Sequence, residues 1–320
     1  MRKTIVLFFT VVLALTCQLV AGVSTLPTNS STIYEIRFTP SGSALFVADH
    51  NSIKVFSFPD TELLGEFSGG HHSQVMSIAV SKDSTLLASG DRDGRIVLWD
   101  INTRQEIVQL PLHDGIVLSM DISPDGRYLI SGGTDHKVQL YDLQQKKVVK
   151  GFYQHTRDVT VVRFHPGGSA FFSGSGDKRI IHYSINNLKS PEIIGEHDDW
   201  VRHLAISPDG SMLTSVGDDR RVRNWNVSDP SFIRPRATLR IVPGWNTSVD
   251  YFADNTTLAV GSIRGRIVIQ AKVTQFTYNV RRPVNQILLW PGDEINLIAV
   301  VATRGKGVKI IPGFDMKIRR

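Results

Sequence analysis

Five turn-forming tetrapeptides recur in this chain at a constant interval of 42 residues. They are Thr39-Pro40-Ser41-Gly42, Ser81-Lys82-Asp83-Ser84, Ser123-Pro124-Asp125-Gly126, His165-Pro166-Gly167-Gly168 and Ser207-Pro208-Asp209-Gly210. Other side chains keep the same phase: His71, His113, His155 and His197; Ser89, Ser131, Ser173 and Ser215; Asp93, Asp135, Asp177 and Asp219; Trp99, Tyr141, Tyr183 and Trp225. A fixed period of this size is the mark of a chain built by stacking one supersecondary unit many times.

Residues 196–241 show what the unit is. Val201–Ile206 alternates apolar and polar positions, Ser207-Pro208-Asp209-Gly210 reverses the chain, and Ser211–Val216 reads as a second strand. A turn at Gly217–Arg220, a third strand over Arg221–Val227 and a more exposed run near Ala237–Ile241 complete four strands. Short alternating runs bounded by Gly, Pro, Asp and Ser are strands and hairpins, and no long 3.6-residue periodicity appears beyond the N-terminus. The unit is a four-stranded antiparallel sheet, and the fold class is all-β. The phased polar residues need no ligand to explain them. Asp in the turn can accept from His in the preceding loop, His can bond Ser on the second strand, and the indole can complete the chain. Buried polar groups must be paired, and such a network holds loop, turn and strands together. The sets are His71-Ser89-Asp93-Trp99, His113-Ser131-Asp135-Tyr141, His155-Ser173-Asp177-Tyr183 and His197-Ser215-Asp219-Trp225.

Gly90-Asp91-Arg92-Asp93-Gly94-Arg95-Ile96-Val97-Leu98-Trp99-Asp100 resembles the signature of the WD-repeat family, with its closing Trp-Asp. Tyr141-Asp142 echoes it, and Tyr183-Ser184 and Trp225-Asn226 keep the aromatic. The resemblance is specific over 68–228 and implies a β-propeller, with seven blades the commonest closure. Counting units gives seven: 31–67, 68–110, 111–152, 153–195, 196–241, 242–280 and 281–320. Phe56 takes the aromatic role in the first, and the last two have lost both His and aromatic.

Arg2-Lys3, an apolar run from Ile5 to Val20 and then Ala21-Gly22-Val23 describe a secretory signal peptide over residues 1–22, cleaved after Gly22. The rival is a membrane anchor over residues 5–22, and lipidation at Cys17, the one cysteine, is a third route. An exported protein, extracellular or periplasmic, is the expectation, with residues 23–320 as one domain. Asn29, Asn226, Asn246 and Asn255 stand in glycosylation triplets. The stretch 23–31 is expected to add a strand that closes the ring, because an unpaired sheet edge is a liability.

The chain carries no CxxC, HExxH, GxSxG or phosphate loop, and its phased histidines lie in different blades, so no catalytic residue, metal site or cofactor is expected. In the implied geometry, the residues three and five beyond each His point at the mouth of the central channel: Gln74 and Met76, Ile116 and Leu118, Asp158 and Thr160, Trp200 and Arg202. Tyr34 joins from the first blade, Asn246, Ser248 and Asn285 from the last two, and Arg92, Thr134 and Asp218 from before the turn aspartates. Aromatic, Met and apolar side chains beside Arg and Asp have the makeup of a protein-binding surface, with Trp200 and Arg202 as anchors.

Charge is uneven. Residues 220–320 hold 17 Lys or Arg against 6 Asp or Glu, whereas residues 1–219 are net acidic. Arg220, Arg221, Arg223, Arg281, Arg282, Arg304 and Lys306 should make a basic face able to attract an anionic surface. Val280-Arg281-Arg282-Pro283 departs from the Arg-Arg-Gly pattern of phosphoinositide-binding propellers, and export argues against nucleic acid. The function read here is a non-catalytic, monomeric scaffold binding a protein partner at the channel mouth. An enzyme or small-molecule binder at the same mouth, and a structural subunit of a larger complex, are the alternatives.

Overall fold

The computed structural model describes residues 24–230, 232–239, 244–271, 275–290 and 296–315. They form seven four-stranded antiparallel sheets. Blade two is representative, with strands Val75–Val80, Leu86–Asp91, Arg95–Asp100 and Glu106–Pro111 in simple up-and-down order. The innermost strands of successive blades lie side by side around a ring, and the seventh meets the first. The chain is therefore an all-β, seven-bladed propeller.

The 42-residue turns fold as their side chains dictate. In Ser123-Pro124-Asp125-Gly126 the Ser123 hydroxyl donates to Asp125 and accepts the amide of Tyr128, while Asp125 accepts the amide of Arg127. Gly126 supplies the left-handed φ of 71° that closes the turn. Outer strands are the exposed ones. In blade five the outermost strand is Arg234–Leu239, every residue solvent-facing, and it starts three residues before the expected run. Three arginine or proline positions on it, Arg234, Pro235 and Arg236, are what an unshielded edge needs to resist pairing with another chain.

The core lies between blades. Phe46 and Phe67 of blade one pack with Val75, Ile78, Leu87, Val97 and Trp99 of blade two. Ile130, Leu140 and Phe152 of blade three pack with Phe164, Phe171 and Tyr183 of blade four. Small residues let the sheets approach: a Cβ on Gly174 would lie 2.6 Å from Val201 of the next blade.

Polar side chains of the innermost strands stitch each blade to the next. Ser119 accepts the Val162 amide, Asp121 the Phe164 amide, Ser248 the Ile287 amide and Asp250 the Leu289 amide. The final stitch closes the ring: Gln286 accepts from the Ile36 amide, and Asn285 donates to the Ile33 carbonyl at 2.7 Å. The expected closing strand is Ser24–Thr25, which pairs antiparallel with Val308–Asp315, Ser24 facing Ile310 and Thr25 facing Lys309. The proposed leader, 1–22, lies outside the described residues.

Candidate functional site

The four His-centred sets are real, with two corrections. His71 donates from Nδ1 not to Asp93 but to Asp91, 2.8 Å away, and its Nε2 meets Ser89 at 2.6 Å. Asp91 ends the second strand, where the other clamped blades have Gly133, Ser175 and Gly217, and it is fully buried. It also accepts the amides of Asp93 and Arg95, leaving the Asp93 side chain in solvent. In the second correction, Tyr141 is buried but makes no hydrogen bond to Ser131, so that set ends at His113-Ser131-Asp135.

The His71 and His155 sets are complete chains: His155 joins Asp177 and Ser173 at 2.9 and 2.6 Å, and Ser173 meets the Tyr183 hydroxyl at 3.1 Å. Trp99 donates to Ser89 at 2.7 Å and Trp225 to Ser215 at 3.3 Å. An indole only donates and a carboxylate only accepts, so the proton order runs indole to Ser to His Nε2, with Nδ1–H on Asp. His197 Nδ1 stands 2.9 Å from Asp219 but out of line for a good bond. Asp219 compensates with the Asp198 amide at 3.1 Å and Arg223 at 3.3 Å. Burial pushes the Asp135 and Asp177 carboxyls up, but the bond and charge of His113 and His155, with backbone amides, outweigh it and bring both down to about 2. Each histidine serves its own blade, and the four do not converge.

The mouth is built by a repeated irregularity. In blades two to seven the innermost strand slips register after its first pair, between Val75 and Ser77, Val117 and Ser119, Val159 and Val161, Val201 and His203, Asn246 and Ser248, and Val284 and Gln286. The residue skipped is a β-bulge, and a bulge re-aims its side chain out of the ladder. The skipped residues are Met76, Leu118, Thr160, Arg202, Thr247 and Asn285. With Tyr34 of blade one they line a cavity of about 260 Å³ at the mouth, together with Glu35, His203, Asp218, Trp245, Ile263 and Arg304.

Tyr34, Met76, Leu118, Thr160, Arg202, Asp218 and Asn285 thus stand where the sequence places them. Gln74, Ile116, Asp158 and Arg92 lie outside the cavity lining. Gln74, Ile116, Asp158 and Trp200 contribute carbonyls instead, accepting the amides of Arg92, Thr134, Gly176 and Asp218. Trp200 is no open anchor. Its ring lies flat against the turn of blade four, so close that a Cβ on Gly176 would sit 2.9 Å from it. Arg202 lies over the ring at 4.7 Å from its centroid and grips Asp218 through both carboxylate oxygens. The exposed aromatic is Trp245, 48% accessible. Asn246 and Ser248 are buried, and their neighbours Trp245 and Thr247 take the mouth positions. Blade six starts 45 residues after blade five instead of 42, and slipping a strand by one residue turns its side chains to the opposite face. Burial also removes Asn246 from the accessible glycosylation triplets.

A second cavity of about 170 Å³, which shares His203 with the mouth, is bordered by Arg37, Arg163, His203 and Asp250. Arg37 pairs with Glu35 at 2.6 Å, and Arg163 reaches His203 Nε2 at 2.9 Å. Burial pushes Asp250 up to about 6 and raises Glu35, while burial and the Arg163 and Arg37 charges hold His203 well below its usual range. These groups sit on the strands that stitch blades together, and opposite charges are interleaved. Among the described residues no three His, Cys, Asp or Glu side chains are grouped to hold a metal ion.

The basic face divides. Arg221 pairs with Asp198 at 2.8 Å and Arg223 with Asp219, so these two are neutralised locally. Arg220, Arg281, Arg282, Arg304 and Lys306 are exposed, with no carboxylate partner among the described residues.

This architecture, with loop, turn and strand clamped by His, Asp, Ser and an aromatic, defines a class of propeller, and comparison with known proteins agrees. The family model for the WD domain, G-beta repeat, matches residues 61–100, 104–142, 146–184 and 189–226. The chain belongs to the WD-repeat family. It is 33% identical over 103 residues to the antiviral protein SKI8 of Saccharomyces cerevisiae, covering 27% of this chain and 25% of that protein. It is 32% identical over 84 residues to the small ribosomal subunit protein RACK1 of Caenorhabditis elegans, covering 25% and 26%. It is 37% identical over 67 residues to an intraflagellar transport protein 122 homolog of Danio rerio, covering 21% and 6%. The chain spans about a quarter or less of the length of these relatives.

Proposed function

We propose that this propeller is a non-catalytic platform that docks a segment of a partner protein at its channel mouth. The observation that carries the reading is the ring of bulged residues, Met76, Leu118, Thr160, Arg202, Thr247 and Asn285, one from each of six blades and each turned out of its ladder. A bulge costs ladder pairing, and six in register at one end of a channel build a shared surface rather than six local defects. The surface mixes apolar and polar groups beside an exposed tryptophan, as interface centres do. Its cavity of about 260 Å³ is smaller than the roughly 300–1,000 Å³ of small-molecule sites, and suits one or two inserted side chains. One relative is named as a subunit of the small ribosomal particle, which supports a role within an assembly.

The N-terminal run 1–22, charged and then apolar, supports export or tethering of this platform, and N-terminal sequencing of the expressed protein tests it. Docking is tested by affinity capture with wild type, with Met76→Arg/Leu118→Arg, and with Phe232→Ser on the blade rim. A partner lost from the mouth variant but retained by the folded rim variant fits the reading; equal capture by all three overturns it.

A further inference from the structure

The end of the ring that carries the mouth is electrostatically split, and the split follows one register position. Where blades three, four and five place the turn carboxylates Asp135, Asp177 and Asp219, strand pairing puts Arg264 in blade six and Gly305 in blade seven. The position before it, Asp218 in blade five, is Ile263 and then Arg304. The turns 262–266 and 303–307 and the loop 280–283 are also contiguous. Val280 donates its amide to Gly265, Arg304 donates its amide to Pro283, and a Cβ on Gly305 would lie 3.9 Å from the Arg282 guanidinium. Arg264, Arg266, Arg281, Arg282, Arg304 and Lys306 are therefore gathered on one sector, all exposed. None has a carboxylate within 4 Å among the described residues, whereas Arg202, Arg221 and Arg223 of blade five all do. Trp245 and Ile263 lie on the inner border of the sector, at the mouth cavity.

From this juxtaposition we infer that the partner segment is acidic: a peptide whose Asp or Glu side chains meet the cations of blades six and seven and whose apolar residue enters the mouth beside Trp245. The inference rests on the mouth reading above and adds the chemistry of what binds there. A flat anionic bilayer is disfavoured by the same surface. It would also press on the opposite sector, where Asp93 and Asp199 are exposed with no cationic partner among the described residues, and like charges brought together repel. A peptide can lie across the basic sector alone.

The test uses a fluorescein-labelled peptide alternating Glu with Leu and Phe, its counterpart with Lys in place of every Glu, and phosphatidylserine-containing vesicles. The proteins are wild type and the surface variant Arg264→Ser/Arg282→Ser/Lys306→Ser, both checked for folding by circular dichroism. The expected result is binding of the Glu peptide to wild type, weakening with added salt, and a loss of about tenfold in the variant, as three exposed ion pairs allow. Neither the Lys peptide nor the vesicles should bind. Equal affinity of wild type and variant, equal binding of both peptides, binding of neither, or cation-dependent capture of the vesicles overturns the inference. Failure of the mouth reading is distinguishable. In that case Met76→Arg/Leu118→Arg keeps its captured partner, whereas failure of the charge reading alone leaves capture sensitive to the mouth variant and indifferent to the three serines.

Discussion

Blades two to five and blades six and seven solve one problem differently. In both groups the loop entering a blade must be held to the turn between its second and third strands. A backbone bond does this in all six, from Arg92 to Gln74, Thr134 to Ile116, Gly176 to Asp158, Asp218 to Trp200, Ile263 to Trp245 and Arg304 to Pro283. Blades two to five add a buried clamp of His, carboxylate and Ser. Blades six and seven turn inward on themselves instead: Ser262 bonds both the carbonyl and the amide of Arg266, and Thr303 donates to the Gly307 carbonyl. Blade one takes a third route, with Asp49 accepting the amides of Asn29 and Ser30 and pairing with Lys54 at 3.0 Å. The lesson is that the clamp is a reinforcement rather than a condition of the fold. Where it is absent, the turn is released from needing a carboxylate and can carry arginine.

The largest test of that comparison removes the centre of a clamp. Trp99→Ala deletes a fully buried indole packed on Phe67 and bonded to Ser89, and should cost about 3–5 kcal/mol in urea unfolding. A loss below about 1 kcal/mol would mean that the backbone bond alone holds the blade. Next, Asp91→Ala should destabilise by about 2–3 kcal/mol because it strands His71 and two amides, whereas Asp93→Ala should stay within about 0.5 kcal/mol. The reverse ranking would restore the register read from the 42-residue period.

Third in size, Asp135→Asn should cost about 2 kcal/mol at pH 7. Its carboxyl lies below the unfolded value, so its contribution is fully present above about pH 4 and is lost as pH falls through about 2. Thermal melts of the variant and wild type should therefore converge in acid. Asp250 has the opposite sign. Raised to about 6 by burial, it binds a proton that the unfolded chain has released, so its stabilising share is present below about pH 4 and fades as pH rises through about 6. Asp250→Asn, which keeps an acceptor for the Leu289 amide, should melt no lower than wild type at pH 7.5. A lower melting temperature there would show that the charged form is the one the channel needs. Finally, amides in the turns 262–266 and 303–307 should exchange with deuterium faster than those in 133–136 and 175–178, the smallest effect and the most direct reading of a missing clamp.

Much of the fold was legible because the repeat carries its own register. The turns, the histidines and three of the four partner aspartates are in phase, and the bulged mouth positions Met76, Leu118, Thr160 and Arg202 follow by counting, whereas Gln74, Ile116, Asp158 and Arg92 do not reach the cavity. Counting failed in register at two places. Counting by 42 passed over Asp91, because a carboxylate two residues earlier reaches the same imidazole from the end of a strand. In blade six an added length between His197 and Trp245 displaced the count by one, putting Asn246 and Ser248 in place of Trp245 and Thr247. The pattern around Asn246-Thr247-Ser248 holds three small polar residues in a row, so hydrophobic alternation could not reveal the slip.

The sequence by itself determined the period, the strand count per unit, the turn chemistry and the sign of charge in each half of the chain, since all of these are local or additive along it. Only the tertiary structure decided which neighbours use up those charges and which way a bulged side chain faces. Arg221 and Arg264 both flank the turn between second and third strands; one is spent on Asp198 and the other has no carboxylate partner among the described residues, because pairing depends on a residue distant in sequence being brought alongside. Trp200 and Trp245 likewise occupy one register position, yet the first packs against Gly176 and Arg202 and the second stands open at the mouth. Contacts across blades are long-range in sequence, and no local pattern encodes them.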